Sequence, residues 1–257
     1  MGQCEDMYVE LIKRCILDII YDVEVHEDWK FPIGGVYVTH EGKRVLSGSQ
    51  GVLEGAYWPK RAHSMIGLKR MNNIQHCVES VFRDGIEGDF IETGVWRGGA
   101  TIFMAALNKF HGQNRKIFVA DSFCGLPVPD EDKYPEDKGD SHHTFEALKV
   151  SLEEVRMNFR RYGLLDENII FLEGFFEDTL PSAPIEKLAV LRLDGDMYGS
   201  TMAALDNLYH KVSKGGFIII DDYALKGCRK AVLKFRKDHE IYSPIEKIDY
   251  MGVFWRK

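Results

Sequence analysis

The chain has 257 residues, 45% of them apolar and 12% aromatic, enough to bury one large core or two small ones. Its formal charge is −7, with basic residues interleaved among acids, which argues against a nucleic-acid footprint. No run of about 18 apolar residues predicts a membrane span. The five cysteines are scattered and form no C-x-x-C pair, so neither a disulfide framework nor a zinc site is expected, and a reducing, cytoplasmic setting fits.

Residues 6–22, DMYVELIKRCILDIIYD, carry apolar residues at helical spacing and predict an amphipathic helix. The glycine-rich stretch 31–59 has no helical period and reads as a loop or lid with a short hairpin. Helical periodicity returns from Ser64 and stops at Gly85. From residue 88 onward short apolar runs alternate with helical stretches: GDFIETG, RKIFVADSF, NIIFLEGFF, LAVLRLDGD and GGFIIIDDY, with helices at 98–112 and around 151–162, 200–213 and 226–238. That alternation predicts a parallel sheet covered on both faces, and the tail adds two short antiparallel strands around Met251–Gly252. Residues 1–86 are expected to form a helical and lid-like segment packed on a core of residues 87–257. The long acidic, proline-bearing stretch 121–147 follows a strand's C-terminal end, where open α/β sheets bind ligands, and reads as a lid. Within it His142 and His143 read as a solvated pair, because no cysteine or third histidine lies nearby.

Three groups of residues carry chemistry. In DFIETGVWRGGAT, residues 89–101, a strand runs into a glycine-rich turn and a helix, with Gly94 at the turn. The spacing is not the dinucleotide G-x-G-x-x-G, which argues against a dehydrogenase, and such a loop by itself is equally a plain strand-to-helix connection. Glu92, just before it, could accept from an ammonium group or a ribose. Asp121 ends the next strand, where an acid hydrogen-bonds ribose hydroxyls or simply caps a turn. Gly174, Phe175 and Phe176 end a further strand and could face an adenine ring, or belong to the core. Lastly, Asp194 and Asp196 follow one apolar run while Asp221 and Asp222 follow the next. Capping would explain one acid at each site but not two. A cluster of oxygen donors without histidine or cysteine suits Mg²⁺ or a similar hard cation.

The stretches GDFIETGVWRGGAT, ADSFCGLP, LLDENIIFLEGFFEDTLP, LAVLRLDGDMYGST, VSKGGFIIIDDY and YMGVFW resemble the macrocin O-methyltransferase family, over roughly residues 53–257. The resemblance implies an α/β class I methyltransferase fold: a seven-stranded, mostly parallel Rossmann-like sheet with an antiparallel C-terminal edge strand. It also implies dependence on S-adenosylmethionine and a divalent metal, and a small-molecule glycoside or sugar as acceptor. On that resemblance Ser64, Met65, Glu92, Gly94, Thr101, Asp121, Ser122 and Phe123 belong to the cofactor site, with Gly174 and Phe176 beside them. Asp194, Asp221 and Asp222 match the metal ligands, and Asp196 the general base. Related enzymes are often dimers or larger, so a homo-oligomer is expected. A catechol-like or other vicinal-diol acceptor would use the same acids, and a non-catalytic cofactor-binding protein would have no need of Asp196.

Overall fold

The computed structural model of the protein describes residues 3–26, 36–39 and 42–257. The apolar runs form the parallel strands β4 (Asp89–Thr93), β5 (Ile117–Asp121), β6 (Ile169–Glu173), β7 (Leu188–Leu193) and β8 (Val212–Ile220). Two short strands, β9 (Glu246–Lys247) and β10 (Val253–Arg256), complete a seven-stranded sheet in the order β6-β5-β4-β7-β8-β10-β9, with β10 antiparallel to β8.

Every residue of β7 is buried, because helices cover both faces of the sheet. Successive side chains of a strand point to opposite faces. Phe90, Val190 and Ile219 accordingly pack with α3 (Gly67–Arg83), α4 (Gly99–Phe110) and α5 (Leu152–Arg161). Their neighbours Ile91, Leu191 and Ile218 pack with α7 (Tyr198–Leu208) and α8 (Lys226–Asp238). Each such fully buried side chain contributes about 1.5–3 kcal/mol of transfer free energy. The helix α3 brings Met71, Ile74, Cys77 and Val78 into the same cluster as Phe90 and Val190, so the N-terminal segment shares the core.

Ahead of α3 the chain forms α1 (Gln3–Ile16), then a small antiparallel sheet of β1 (Val23–Glu24), β2 (Val36–Thr39) and β3 (Gly42–Val45), then α2 (Gln50–Glu54). The β2–β3 pair is the hairpin expected in the glycine-rich stretch, of which residues 31–35 and 40–41 lie outside the described residues. The first helix stops at Ile16 rather than near residue 22, where Asp18 turns the backbone to a positive φ of 53°. The last hairpin is wider than expected. Asp249 accepts from the amides of Met251 (2.8 Å) and Gly252 (2.7 Å), and this turn separates β9 from β10.

In this sheet β5 and β6 lie on one side of β4, and β7 and β8 on the other. Such a reversal leaves a crevice outside the C-terminal ends of the strands. All the acids singled out from the sequence sit at those ends.

Candidate active site

The register of three strands assembles the site. Thr93 pairs with Leu193, and Leu193 with Ile220, so the residues that follow, Gly94, Asp194 and Asp221, line up side by side. The ladder runs on past the strands: Gly94 donates its amide to Ala120, Asp194 to Thr93 and Asp221 to Leu193, each at 2.8 Å. Gly94 holds a φ of 86°, and a Cβ there would lie 1.7 Å from the Asp194 carbonyl oxygen, so only glycine fits between the strands.

Asp194, Asp221 and Asp222 present carboxylate oxygens within 4.8 Å of one another. Asp196 stands beside them at a φ of 56°, its amide donating to Asp222 Oδ2 at 3.0 Å. A non-glycine residue in that left-handed region costs of the order of 1 kcal/mol or more, which the surrounding structure must offset. Burial pushes the Asp196 carboxyl up to about 7, while the His142 charge pulls it down and the neighbouring acids add to the rise. Burial and the facing carboxylates raise Asp194 and Asp222 as well.

Two arginines bind this cluster from below. Arg192, the polar side chain inside the apolar run of β7, is fully buried; one of its terminal nitrogens meets Glu92 and Asp194, the latter at 2.8 Å, and the other meets Asp221. Arg70 of α3 bonds Asp221 and, through Nε at 3.0 Å, Asp249. Four carboxylates (Glu92, Asp194, Asp221 and Asp249) thus share two guanidiniums, and Asp196 and Asp222 stand beside them without a basic partner among these bonds. A hard divalent cation is the complement such a set of oxygen donors fits.

The acids open into a cavity of about 770 Å³ that also takes in Met65, Gly94, Asp121, Ser122 and Phe176. That volume lies within the range of small-molecule sites, about 300–1,000 Å³. Asp121 accepts from the amides of Val95 and Phe123, each at 2.8 Å and each on a different oxygen. The Ser122 hydroxyl lies a further 3.4 Å from Oδ1, so the carboxylate is held at the cavity wall by its own loop. The other residues expected at the cofactor site stand behind the wall rather than in it. Glu92, only 2% exposed, turns under the cavity floor to Arg192, and burial raises its carboxyl to about 8 against the pull of that guanidinium. Ser64 and Thr101 are buried, and a Cβ on Gly99 would meet Ser64 Cβ at 2.6 Å. Phe123 packs on Phe171 with ring centroids 6.3 Å apart, and Gly174 bends the chain at φ 139°.

The stretch 121–147 folds over this cavity. It is held by short 3₁₀ turns at Pro135–Asp137, His142–Thr144 and Glu146–Leu148. Asp137 fastens it to the start of α7, accepting from the amides of Tyr198 (2.6 Å) and Gly199 (2.8 Å). At its far end Trp96 Nε1 donates to the Ala147 carbonyl at 2.8 Å. The expectation of a solvated histidine pair is corrected for His142: it lines the cavity, with Nδ1 2.8 Å from Asp140 Oδ2.

Sequence reasoning missed Arg70, Arg192 and the aromatic lining of Trp58, Trp96, Phe145 and Tyr250. For Arg192 a signal existed: one charge inside the continuous apolar run LAVLRL predicts a buried ion pair. For the aromatics none did, because the stretches that carry them have no periodicity.

A family model described as Macrocin-O-methyltransferase (TylF) matches residues 5–257, so the likeness first read from residue 53 spans nearly the whole chain. The chain is 46% identical, over 98% of its length and 92% of the relative's, to 8-demethyl-8-(2,3-dimethoxy-alpha-L-rhamnosyl)-tetracenomycin-C 4'-O-methyltransferase of Streptomyces olivaceus. It is 45% identical to mycinamicin III 3''-O-methyltransferase of Micromonospora griseorubida, over 98% of its length and 96% of the relative's. The solved structure of the O-methyltransferase NovP superposes with a TM-score of 0.89 at 42% identity, covering 98% of this chain and 99% of that one. With the sheet order and the acids at its strand ends, these matches establish that the chain belongs to the macrocin O-methyltransferase family and is an S-adenosylmethionine-dependent O-methyltransferase.

Proposed function

We propose that this enzyme methylates a sugar hydroxyl of a glycosylated natural product, assisted by a divalent cation, Mg²⁺ by the chemistry of its donors. The observation that carries the reading is the placement of Asp196 beside Asp194, Asp221 and Asp222 in the same cavity as Gly94 and Asp121. The names of the two relatives, one acting on a mycinamicin and the other on a rhamnosyl-tetracenomycin, support a glycoside acceptor. The stretch over the cavity offers Asp130, Ser141 and His142 to hydroxyl groups, while the rings of Trp58, Trp96, Phe145 and Tyr250 that also line the cavity suit the apolar face of a sugar and a flat diol alike, so the acceptor reading rests on the relatives.

In this reading Met65, Gly94, Asp121, Ser122 and Phe176 surround the methyl donor, and Ser64, Glu92, Thr101, Phe123 and Gly174 shape that wall from behind. Asp194, Asp221 and Asp222 would hold the cation, which when bound supplies positive charge against the oxygen that loses its proton. Asp196 accepts the proton of the acceptor hydroxyl. The oxygen then bonds the methyl carbon as its bond to sulfur breaks, leaving a methyl ether, a thioether and one proton on Asp196. Holding oxygen, carbon and sulfur in line lowers the barrier further, and the folded-over stretch excludes water from it. Residues 1–86 act here as part of the site, since Gly55, Trp58, Met65 and Arg70 all line the cavity. The described cysteines Cys15, Cys77, Cys124 and Cys228 are free, which suits the cytoplasm.

The test supplies S-adenosylmethionine with mycinamicin III, with the rhamnosyl-tetracenomycin and with catechol, in Mg²⁺ and in EDTA. A methyl ether on a glycoside, lost in EDTA and restored by Mg²⁺, is the expected result, with kcat lowered at least about a hundredfold in Asp196→Asn. Turnover of catechol alone would move the acceptor to a flat diol. Full activity in EDTA would remove the metal. Cofactor binding without any methyl transfer would leave the non-catalytic alternative.

A further inference from the structure

The pair Asp140–His142 is not accounted for by the chemistry above. His142 lies on the stretch that covers the cavity, its side chain 29% exposed, and lines the cavity together with Asp196. Its position is fixed three times over. Asp140 Oδ2 holds Nδ1 at 2.8 Å, and Asp140 Oδ1 accepts the His142 amide at 2.9 Å. Three residues upstream of Asp140, the two contacts from Asp137 to the start of α7 pin the same stretch to the core. A carboxylate on Nδ1 fixes the ring's orientation and leaves Nε2 as its remaining polar atom.

The neighbours of this ring say what would meet it. Phe145 touches it edge-on, centroids 6.2 Å apart, and Trp58 meets Phe145 in turn at 5.1 Å. The roof of the cavity therefore runs from a hydrogen-bonding nitrogen to an apolar aromatic shelf. A sugar ring presents the same two faces, hydroxyls at its edge and C–H bonds on its surface. The ring and Asp196 line the same cavity.

Resting on the sugar-acceptor reading, we propose that His142, oriented by Asp140, binds the acceptor: its Nε2 hydrogen-bonds a hydroxyl of the sugar other than the one methylated, and Trp58 and Phe145 hold the ring's apolar face. This makes His142 a determinant of which hydroxyl reaches Asp196.

The experiment compares wild type with His142→Phe, His142→Gln and Asp140→Asn, using whichever of mycinamicin III and the rhamnosyl-tetracenomycin the wild type methylates. Kinetics give the acceptor KM and kcat, and calorimetry gives the affinity for S-adenosylmethionine. Phenylalanine keeps the ring without its nitrogens, whereas a glutamine amide reaches close to the place of Nε2. The acceptor KM should rise at least about tenfold in His142→Phe, stay within about threefold in His142→Gln, and rise by an intermediate factor in Asp140→Asn, with cofactor affinity unchanged. An acceptor KM unchanged in His142→Phe overturns the proposal. So does a fall in kcat alone, which would give the ring a part in the chemistry, or an equal rise in the Phe and Gln variants, which would reduce its role to packing. A wild type inert toward both glycosides overturns the sugar reading and this one together, whereas an active wild type with an unaffected His142→Phe overturns only this one.

Discussion

Replacing Arg192 by methionine tests whether the acids are held in place by their arginines or merely tolerated. The guanidinium is fully buried and serves Glu92, Asp194 and Asp221 at once. Methionine keeps most of the volume of the stem but supplies no donor. Glu92, already pushed up to about 8, takes up a proton at neutral pH and contributes little to the loss. Asp194 loses its guanidinium, and Asp221 is left with Arg70 alone. Removing one partner of a buried ion pair costs about 3–5 kcal/mol. For a domain of this size that corresponds to a fall of about 6–20 °C in Tm.

The assay is urea unfolding in EDTA, followed by circular dichroism and tryptophan fluorescence so that the two-state assumption is itself checked. Added Mg²⁺ should narrow the gap between variant and wild type, since positive charge bound at Asp194 and Asp221 stands in for the missing guanidinium and stabilises by linkage. A loss below about 1 kcal/mol in EDTA would refute the reasoning. It would mean that the acids are neutral in the folded protein and that the arginine is a passive tenant of the strand.

Gly94→Ala should abolish cofactor binding in calorimetry or prevent folding outright, because the added carbon lies 1.7 Å from the Asp194 carbonyl oxygen; unaltered binding would show that the two strand ends separate freely. Asp137→Asn should weaken the fastening of the covering stretch to α7, since one carboxylate accepts from both the Tyr198 and Gly199 amides. Faster proteolysis within residues 124–147 and a raised acceptor KM, without a change in Tm of the core, are expected. Stability should also fall in acid through His63, which burial and the charges of Arg161 and Arg97 lower to about 4 while Nδ1 sits 2.8 Å from the Tyr162 hydroxyl. Above the ordinary value near 6.5 neither state binds the proton; below it the unfolded chain takes one that the folded chain refuses until about 4, so the contribution is lost across that window. It amounts to about 2 kcal/mol once the ring's partial exposure is allowed for, and His63→Gln should flatten that part of the pH–stability curve.

The sheet was legible because its signals are periodic. Continuous apolar runs between helical stretches placed each parallel strand within three residues at either end, and with the strands came the strand ends, where Asp121, Asp194 and Asp221 stand. Parallel register did the rest: once β7 and β8 are neighbours, two pairs of acids that follow two apolar runs meet. What escaped has no period. The helix α2 and the aromatics Trp58 and Tyr250 lie in stretches whose conformation is set by distant partners, and the covering stretch acquires its shape from Asp137, which finds its amides 61 and 62 residues away. His142 looked solvated for the same reason, since nothing local reveals that the loop folds back over the strand ends. Arg192 is the instructive case, because its strand was placed correctly and its meaning was overlooked. A fully buried guanidinium is unaffordable without carboxylates. One basic residue in a strand-length apolar run is therefore evidence that acids converge at that point of the sheet, and the residues two on from it and at the end of the next strand, Asp194 and Asp221, are where they stand.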